Sequence, residues 1–285
     1  MNIGIIGLGL IGGSLGRTLV KQANHTVYGY DISEEAMALG VLCKAYDKPL
    51  TKDVVKDLDI LFIALYPKAT VKVLEEYAPL MKNGSVLSDC CGNKRAIRDK
   101  MQSLSKDYPK INFISTHPMA GREFSGIKHS TVNLFQGASM ILVPVSSDIR
   151  ATAKLKAFSL ELGFGSVVLT TAEEHDRIIA YTSQLAHVVS SAYIKSPTAQ
   201  SFMGFSAGSF RDMTRVARLS PEMWGQLMSE NGDNLAREIK CVINNLNEYL
   251  SAIENKDVDL LKKLLADGNE KKLIAEKMKN KKTPE

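Results

Sequence analysis

No uninterrupted apolar run in these 285 residues approaches the 18 or more that a membrane span requires. The four cysteines, Cys43, Cys90, Cys91 and Cys241, contain no C-x-x-C spacing, and two of them are adjacent. That argues against a zinc site and against a disulfide framework. The opening Met-Asn-Ile-Gly carries no basic segment, and glycines interrupt the apolar stretch behind it, so it does not read as a signal peptide. Low-complexity tracts are missing too, and 45% apolar with 24% charged residues excludes wholesale disorder, collagen and coiled-coil rods. At about 150 residues per domain the expectation is two globular domains in a reducing, cytoplasmic setting.

The net charge of +5 has one origin. Between Lys262 and Lys282 stand eight lysines against three acids, a surplus equal to the whole. A basic tail suits nucleic acid, but lysines near a helix C-terminus suit its dipole equally. The expectation is a solvated helix end, with neither nucleic acid nor membrane as partner.

Residues 2–7 read as a short buried strand, Leu10 to Gln22 as a helix and Thr26–Tyr30 as a second strand. Ser33 to Leu39 reads as a helix with Ser33 as N-cap and two acids in its first turn. Asp59–Leu65 is almost wholly apolar, as a strand of a parallel sheet covered on both faces must be. A helix over Lys68–Met81 follows. Ser85–Ser88, Asn112–Thr116, Ser139–Val143 and Ser166–Thr170 are further strands, with a helix over Lys154–Leu162. This alternation predicts an α/β domain with a doubly wound parallel sheet over residues 1–170. Strand signals then stop, and residues 171–285 read as all-helical: His175 to Lys195, a helix opened by Pro221, and a last one from Asp257. From Trp224 to Ile253 apolar residues recur mostly at three- and four-residue steps.

Gly7-Leu8-Gly9-Leu10-Ile11-Gly12 is G-x-G-x-x-G, placed after a strand and opening a helix. In a Rossmann-type domain the first glycine permits the turn, the second lets the backbone approach a pyrophosphate, and the third lets helix and strand pack. The helix N-terminus then offers N–H groups to the phosphates. Asp31 ends the second strand, 19 residues after Gly12, where an acid accepts from an adenosine ribose. Glu34 and Glu35 follow with no arginine nearby, so the expected cofactor is NAD rather than NADP. Leu65, at the end of its strand, joins the expected cofactor contacts.

Five histidines occur, His25, His117, His129, His175 and His187. His117 lies in Ser-Thr-His-Pro-Met-Ala-Gly-Arg-Glu, just past a strand, and the carboxyl ends of parallel strands are the ligand side. A neutral imidazole there can accept a hydroxyl proton while hydride leaves the same carbon. His175 and His187 are 12 residues apart, about 120° apart on one straight helix, so both cannot aim straight into one pocket. On pattern alone His175 also reads as a surface residue paired with Asp176, and His187 as a satisfied core histidine. Arg211 and Arg215 are equal candidates to clamp a carboxylate.

The glycine motif, His-Pro-Met-Ala-Gly-x-Glu, Ser-Gln-Leu-Ala-His and Phe-Arg-Asp-Met-Thr-Arg-Val-Ala occur in that order. Together they resemble the prephenate dehydrogenase family over residues 1 to about 255. The resemblance implies oxidative decarboxylation of prephenate, or of arogenate, with a nicotinamide cofactor. It implies a helical C-terminal domain that pairs into a homodimer. It implies that His117 contacts the substrate hydroxyl, that His187 binds substrate, that Arg215 rather than Arg211 binds the ring carboxylate, and that Glu123 gates the pocket. His175 and Trp224 fall on positions near the pocket. One departure stands out. The family carries Asp-x-Gly-Ser-x-Lys after the strand at 85–88, whereas this chain has Asp89-Cys90-Cys91-Gly92-Asn93-Lys94. The family serine falls on Gly92, and Asn93, a cysteine or water is expected to replace it.

Overall fold

The computed structural model describes residues 1–122 and 124–280. Residues Met1–Gly232 form one compact unit and a second unit begins at Asp233. The first unit holds a sheet of eight strands: β1 (Asn2–Ile6), β2 (Thr26–Tyr30), β3 (Lys48–Pro49), β4 (Ile60–Ile63), β5 (Val86–Asp89), β6 (Asn112–Pro118), β7 (Ser139–Ser146) and β8 (Ser166–Leu169). Their order is β3-β2-β1-β4-β5-β6-β7-β8. Every pairing is parallel except β6 with β7, where His117 stands opposite Ile141. The sheet is thus doubly wound and mostly parallel, with its switch point between β1 and β4.

Strand alternation divides the apolar residues between two cores. Ile60 and Phe62 of β4 enter one core, Leu61 and Ile63 the other. The first face is covered by α1 (Leu10–Gln22), which contributes Leu15 and Leu19, and by α5 (Ile149–Glu161), which contributes Leu155 and Phe158. The second is covered by α3 (Pro67–Tyr77), with Leu74, and by α4 (Arg95–Asp107), with Ile97 and Met101. Ser33 caps α2 (Glu34–Leu42), its side chain accepting from the Ala36 N–H.

After β8 the chain is helical. α6 (Ala172–Ile179) continues through a π-helical stretch, Ala180–Leu185, into α7 (Ala186–Tyr193). A straight helix from His175 to Lys195 is therefore corrected. A π turn advances each residue by less than an α turn, which reduces the angle expected between His175 and His187. α8 (Gly208–Thr214) and α9 (Pro221–Glu230) complete the first unit. Compactness does not end at residue 170, because side chains on α6 and the π stretch bond directly to the loop after β5. The second unit holds most of α10 (Gly232–Glu254) and all of α11 (Val258–Asn280). Asp257 caps α11 by accepting from the Leu260 N–H. Lysines of α11 pair along their own helix, Lys262 with Asp259 and Lys272 with Glu276; Lys281 and Lys282 lie outside the described residues. Among the described residues no helix is long and apolar enough to cross a membrane.

The turn from β1 to α1 separates two uses of glycine. Gly7 has φ +93°, and its N–H donates to Tyr30 O. A Cβ on Gly12 would lie 1.9 Å from Gly7 O, whereas a Cβ on Gly9 would have nothing within 4 Å. Gly12→Ala is expected to destabilise the fold by about 1–3 kcal/mol, the cost of forced overpacking. Gly9→Ala is expected to leave the urea midpoint within error of the parent. Equal midpoints for the two variants would show that the turn has slack at Gly12.

Candidate active site

The carboxyl ends of β1, β2 and β4 form a cradle with open backbone donors. Gly9 is the N-cap of α1, no side chain caps it, and no acid occupies the first turn. As first-turn residues Leu10, Ile11 and Gly12 have amides without intrahelical acceptors, the donors a pyrophosphate uses. Asp31 lies beside them. Its Oδ2 accepts from Leu8 N–H at 2.7 Å and its Oδ1 from Ser33 N–H at 2.9 Å, which holds the carboxylate at the end of β2. The Leu8 side chain is buried in the core, and Leu65 packs against Gly7. Next to this edge a cleft of about 470 Å³ is lined by Tyr30, Leu50, Val73 and Tyr77, with the Lys52–Glu76 ion pair at 2.6 Å. Uncapped first-turn amides, an anchored acid and an apolar cleft fit a dinucleotide.

Two strands further along, β5 ends in a charge. Asp89 is fully buried and pairs with the fully buried Lys94 at 2.6 Å. The same carboxylate accepts from Cys91 N–H at 2.8 Å and from the Ser115 hydroxyl. Lys94 Nζ also donates to Thr116 O at 2.5 Å, and Thr116 Oγ1 donates to Asp89 O. These bonds fix the end of β6 against the loop after β5, and His117 is the next residue.

His117 keeps partial exposure. Its Nδ1 meets His175 Nε2 at 2.9 Å, and His175 Nδ1 meets Asp176 Oδ1 at 2.7 Å. Among the described residues no protein group bonds His117 Nε2. Burial, with His175 and Lys94 alongside, holds the His117 imidazole well below its ordinary pKa. Burial also lowers His175, against the opposing hydrogen bond to Asp176. Burial opposes ionisation of Asp176, but bonds from His175 and from the Arg95 and Lys94 amides outweigh it and lower its pKa. The surface placement of His175 paired with Asp176 is corrected: the pairing exists, but His175 is 2% exposed and both ring nitrogens are engaged within the protein.

Asn93 ties this edge to the helices. Its Nδ2 donates to Leu227 O at 2.7 Å, and its Oδ1 accepts from Gln184 Nε2 at 2.9 Å. Gln184 Oε1 accepts from Asn231, which also donates to Asp176 O. One turn beyond Gln184 stands His187, and one turn before Leu227 stands Trp224. Their rings pack with centroids 4.0 Å apart, and His187 Nδ1 bonds Val216 O at 3.0 Å. Arg215 caps α8 beside Val216 and is exposed, as is Arg211. Glu123 lies outside the described residues.

Gly92 is explained by its neighbours. A Cβ there would stand 3.2 Å from Leu227 Cδ2, so a serine would press on α9. Asn93 spends its amide on the helices rather than on a ligand. Burial pushes the Cys90 thiol up to about 12 and Cys91 well above its ordinary value, so neither is a thiolate near neutral pH. Asp176, Lys94 and Gln184 entered the sequence reading only as a surface partner or as motif letters, with no role in the site. A lysine and an aspartate within five residues of a buried strand end are the only hint of the ion pair.

Comparison with known proteins agrees with this architecture. Residues 15–169 match the family model described as prephenate dehydrogenase, nucleotide-binding domain, and residues 171–267 match prephenate dehydrogenase, dimerization domain. Cyclohexadienyl dehydrogenase of Zymomonas mobilis is 33% identical over 273 residues, covering 91% of each chain. The structure of Synechocystis arogenate dehydrogenase superposes with a TM-score of 0.79 at 26% identity, covering 95% of this chain and 99% of that one. Prephenate dehydrogenase from A. aeolicus, solved with hydroxyphenyl propionate and NAD+, shares the fold with a TM-score of 0.80 at 23% identity, over 96% of this chain and 98% of that one. With both domains matched in order along its length, the chain belongs to the prephenate dehydrogenase family of oxidoreductases.

Proposed function

We propose that this chain is an NAD-dependent prephenate dehydrogenase, converting prephenate to 4-hydroxyphenylpyruvate and CO2 for tyrosine biosynthesis. The observation that carries the reading is the open Nε2 of a neutral imidazole, His117, at the carboxyl edge of a nucleotide-binding sheet. When bound, NAD supplies the hydride acceptor. The backbone from Gly7 to Gly12, Asp31 and Leu65 would hold it. Residues 1–170 thus serve the nucleotide, and residues 171–285 serve substrate binding and dimerisation.

His117 Nε2 accepts a hydrogen bond from the hydroxyl on C4 of the substrate. As hydride leaves C4 the oxygen turns acidic, and the imidazole takes up its proton. The bond from C1 to its carboxylate breaks, CO2 departs, and the released electron pair completes the aromatic ring. The proton then returns to the phenolic oxygen, so the reaction leaves His117 neutral. A depressed pKa suits this loan, because the imidazole must be unprotonated when substrate arrives. Arg215 supplies a guanidinium for the ring carboxylate. His187, steadied by Trp224 and Val216, faces the rest of the substrate, and Glu123 gates entry. His175 and Asn93 act from behind these groups.

Arogenate is a second reading, because the 33% identical relative is named a cyclohexadienyl dehydrogenase and the Synechocystis protein an arogenate dehydrogenase. The family match to a dimerization domain supports a homodimer. Its contact face is the stripe Ile243, Leu246, Leu250 and Ile253 on α10, each about half exposed or more. Four free cysteines support a cytoplasmic location.

NADH formation measured with prephenate and arogenate separately is expected to be faster with prephenate; silence with both, while NAD binds, would reject the function. His117→Gln is expected to lower kcat about 100-fold or more, the contribution of a placed general base, with NAD affinity unchanged by fluorescence titration. In the parent enzyme kcat/KM should fall only as the pH drops below the ordinary histidine value, since His117 must be neutral and its pKa is lowered. An acid limb above that value would exclude His117 as the group titrating. Leu246→Asp is expected to convert the dimer to monomer in sedimentation velocity, and an unchanged dimer would place the interface elsewhere.

A further inference from the structure

Two protein-bound nitrogens and one carboxylate stand in a row behind His117, and each step of their protonation follows from the one before. Asp176 is held as a carboxylate, because its Oδ1 accepts the Lys94 N–H at 2.8 Å and its Oδ2 accepts the Arg95 N–H at 3.0 Å and Arg95 Nε at 3.3 Å. An ionised carboxylate only accepts. His175 Nδ1, 2.7 Å away, must therefore carry the hydrogen. His175 is 2% exposed and neutral, so its Nε2 is a lone pair. A lone pair facing His117 Nδ1 at 2.9 Å requires the hydrogen on that nitrogen. In neutral His117 the only lone pair left is on Nε2, the open one.

We propose that His175 and Asp176 form a positioning pair that fixes His117 as the Nδ1–H tautomer and thereby makes Nε2 the base. This rests on the reading of His117 as the group that takes the substrate hydroxyl proton. When that proton arrives on Nε2, the positive charge on the ring is met through Nδ1–H by an acceptor whose far side is anchored to a carboxylate. No other proton needs to move, and the charge disappears when the proton returns to the product oxygen. An imidazole free to turn would present N–H to the substrate part of the time and would then be unable to accept.

The surrounding charges favour this arrangement. Lys94, fully buried and paired to Asp89, faces both imidazoles and disfavours a second positive charge in the resting state. Arg95 pairs with Asp176 Oδ2 at 3.3 Å and favours its ionised form. Glu230 also feels Asp176, and burial raises its own pKa. Asp176 is locked at its own main chain as well, because Asn231 Nδ2 donates to Asp176 O at 2.8 Å. The relay is thus built into the same hydrogen-bonded network that joins α6 and α9 to the loop after β5.

The test is nitrogen NMR of the full-length protein with ring-15N histidine, beside steady-state kinetics. In the parent, His117 is expected as the Nδ1–H tautomer from pH 6 to 8. In His175→Leu the His117 signal should move toward the Nε2–H form, and kcat should fall about 10-fold or more, part of the 10²–10⁴ that a placed base contributes, with KM for NAD unchanged. His175→Gln, whose amide oxygen can accept from His117 Nδ1–H, should restore the tautomer and most of kcat. Should His175→Leu fail to fold, Asp176→Asn and the parent spectrum still decide. Nε2–H His117 in the parent overturns the proposal, and so do equal losses in His175→Leu and His175→Gln with an unmoved tautomer. Full turnover in His117→Gln would instead refute the base reading, while the spectra would still report whether the pair sets the tautomer.

Discussion

An ammonium that never meets water organises the carboxyl edge of this sheet. Lys94 and Asp89 are both fully buried, and removing either would leave an uncompensated charge at a cost of about 3–5 kcal/mol. The pair is tolerable because each partner makes further hydrogen bonds beyond the ion pair itself. Asp89 accepts from Lys94, Cys91 N–H and Ser115, and Lys94 donates again to Thr116 O. One consequence is geometric: β6 is held to the loop after β5 one residue before His117. The other is electrostatic, since burial holds both imidazoles below their ordinary pKa and the fixed positive charge of Lys94 adds to it.

From that loop the polar contacts run outward through consecutive residues. Asn93 bonds α9 and the π stretch, while the Lys94 and Arg95 amides bond Asp176. Three adjacent residues, two of the loop and the first of α4, thereby position groups from three different helical segments. Buried polar networks of this kind specify one arrangement, because any shift leaves several groups unpaired at once. The π stretch belongs to the same economy of placement. It lets α6 present His175 and Asp176 to the sheet while Gln184 still reaches Asn93, and π turns are frequent at functional sites. Gly92 fits the resulting closeness, since a Cβ there would crowd the Leu227 side chain of α9.

Most of the α/β architecture was legible, because each signal was local. Strands such as Asp59–Leu65 announced themselves through unbroken apolar runs, and Ser33 capped its helix as its position implied. The glycine motif was readable because its spacing encodes a turn and a close approach rather than a side-chain contact. α4 escaped because basic and acidic residues dilute its apolar positions, Ile97 and Met101. The short β3 escaped because two residues carry no period. The antiparallel β7 could not be foreseen, since strand direction depends on which edge is free. His117 was legible from its position near a strand end, although β6 runs on to Pro118 and includes it. Pattern alone left His175 open to a surface reading, because a histidine followed by an acid at a helix start looks the same whether solvent or a second histidine lies in front of it.

The sequence by itself determined the doubly wound sheet, the nucleotide turn, the helical second half and the identity of the imidazole at the strand end. All of these depend on periods, caps and spacings within some twenty residues. Only the tertiary structure decided which nitrogen of His117 is tied and which is open, that the Lys94 amide holds Asp176, and that Asn93 serves the helices. Those facts join residues 58, 82 and 91 positions apart. A hydrogen bond is directional and short, so its partner is set by where the packed elements place two atoms, and no pattern along the chain carries that distance.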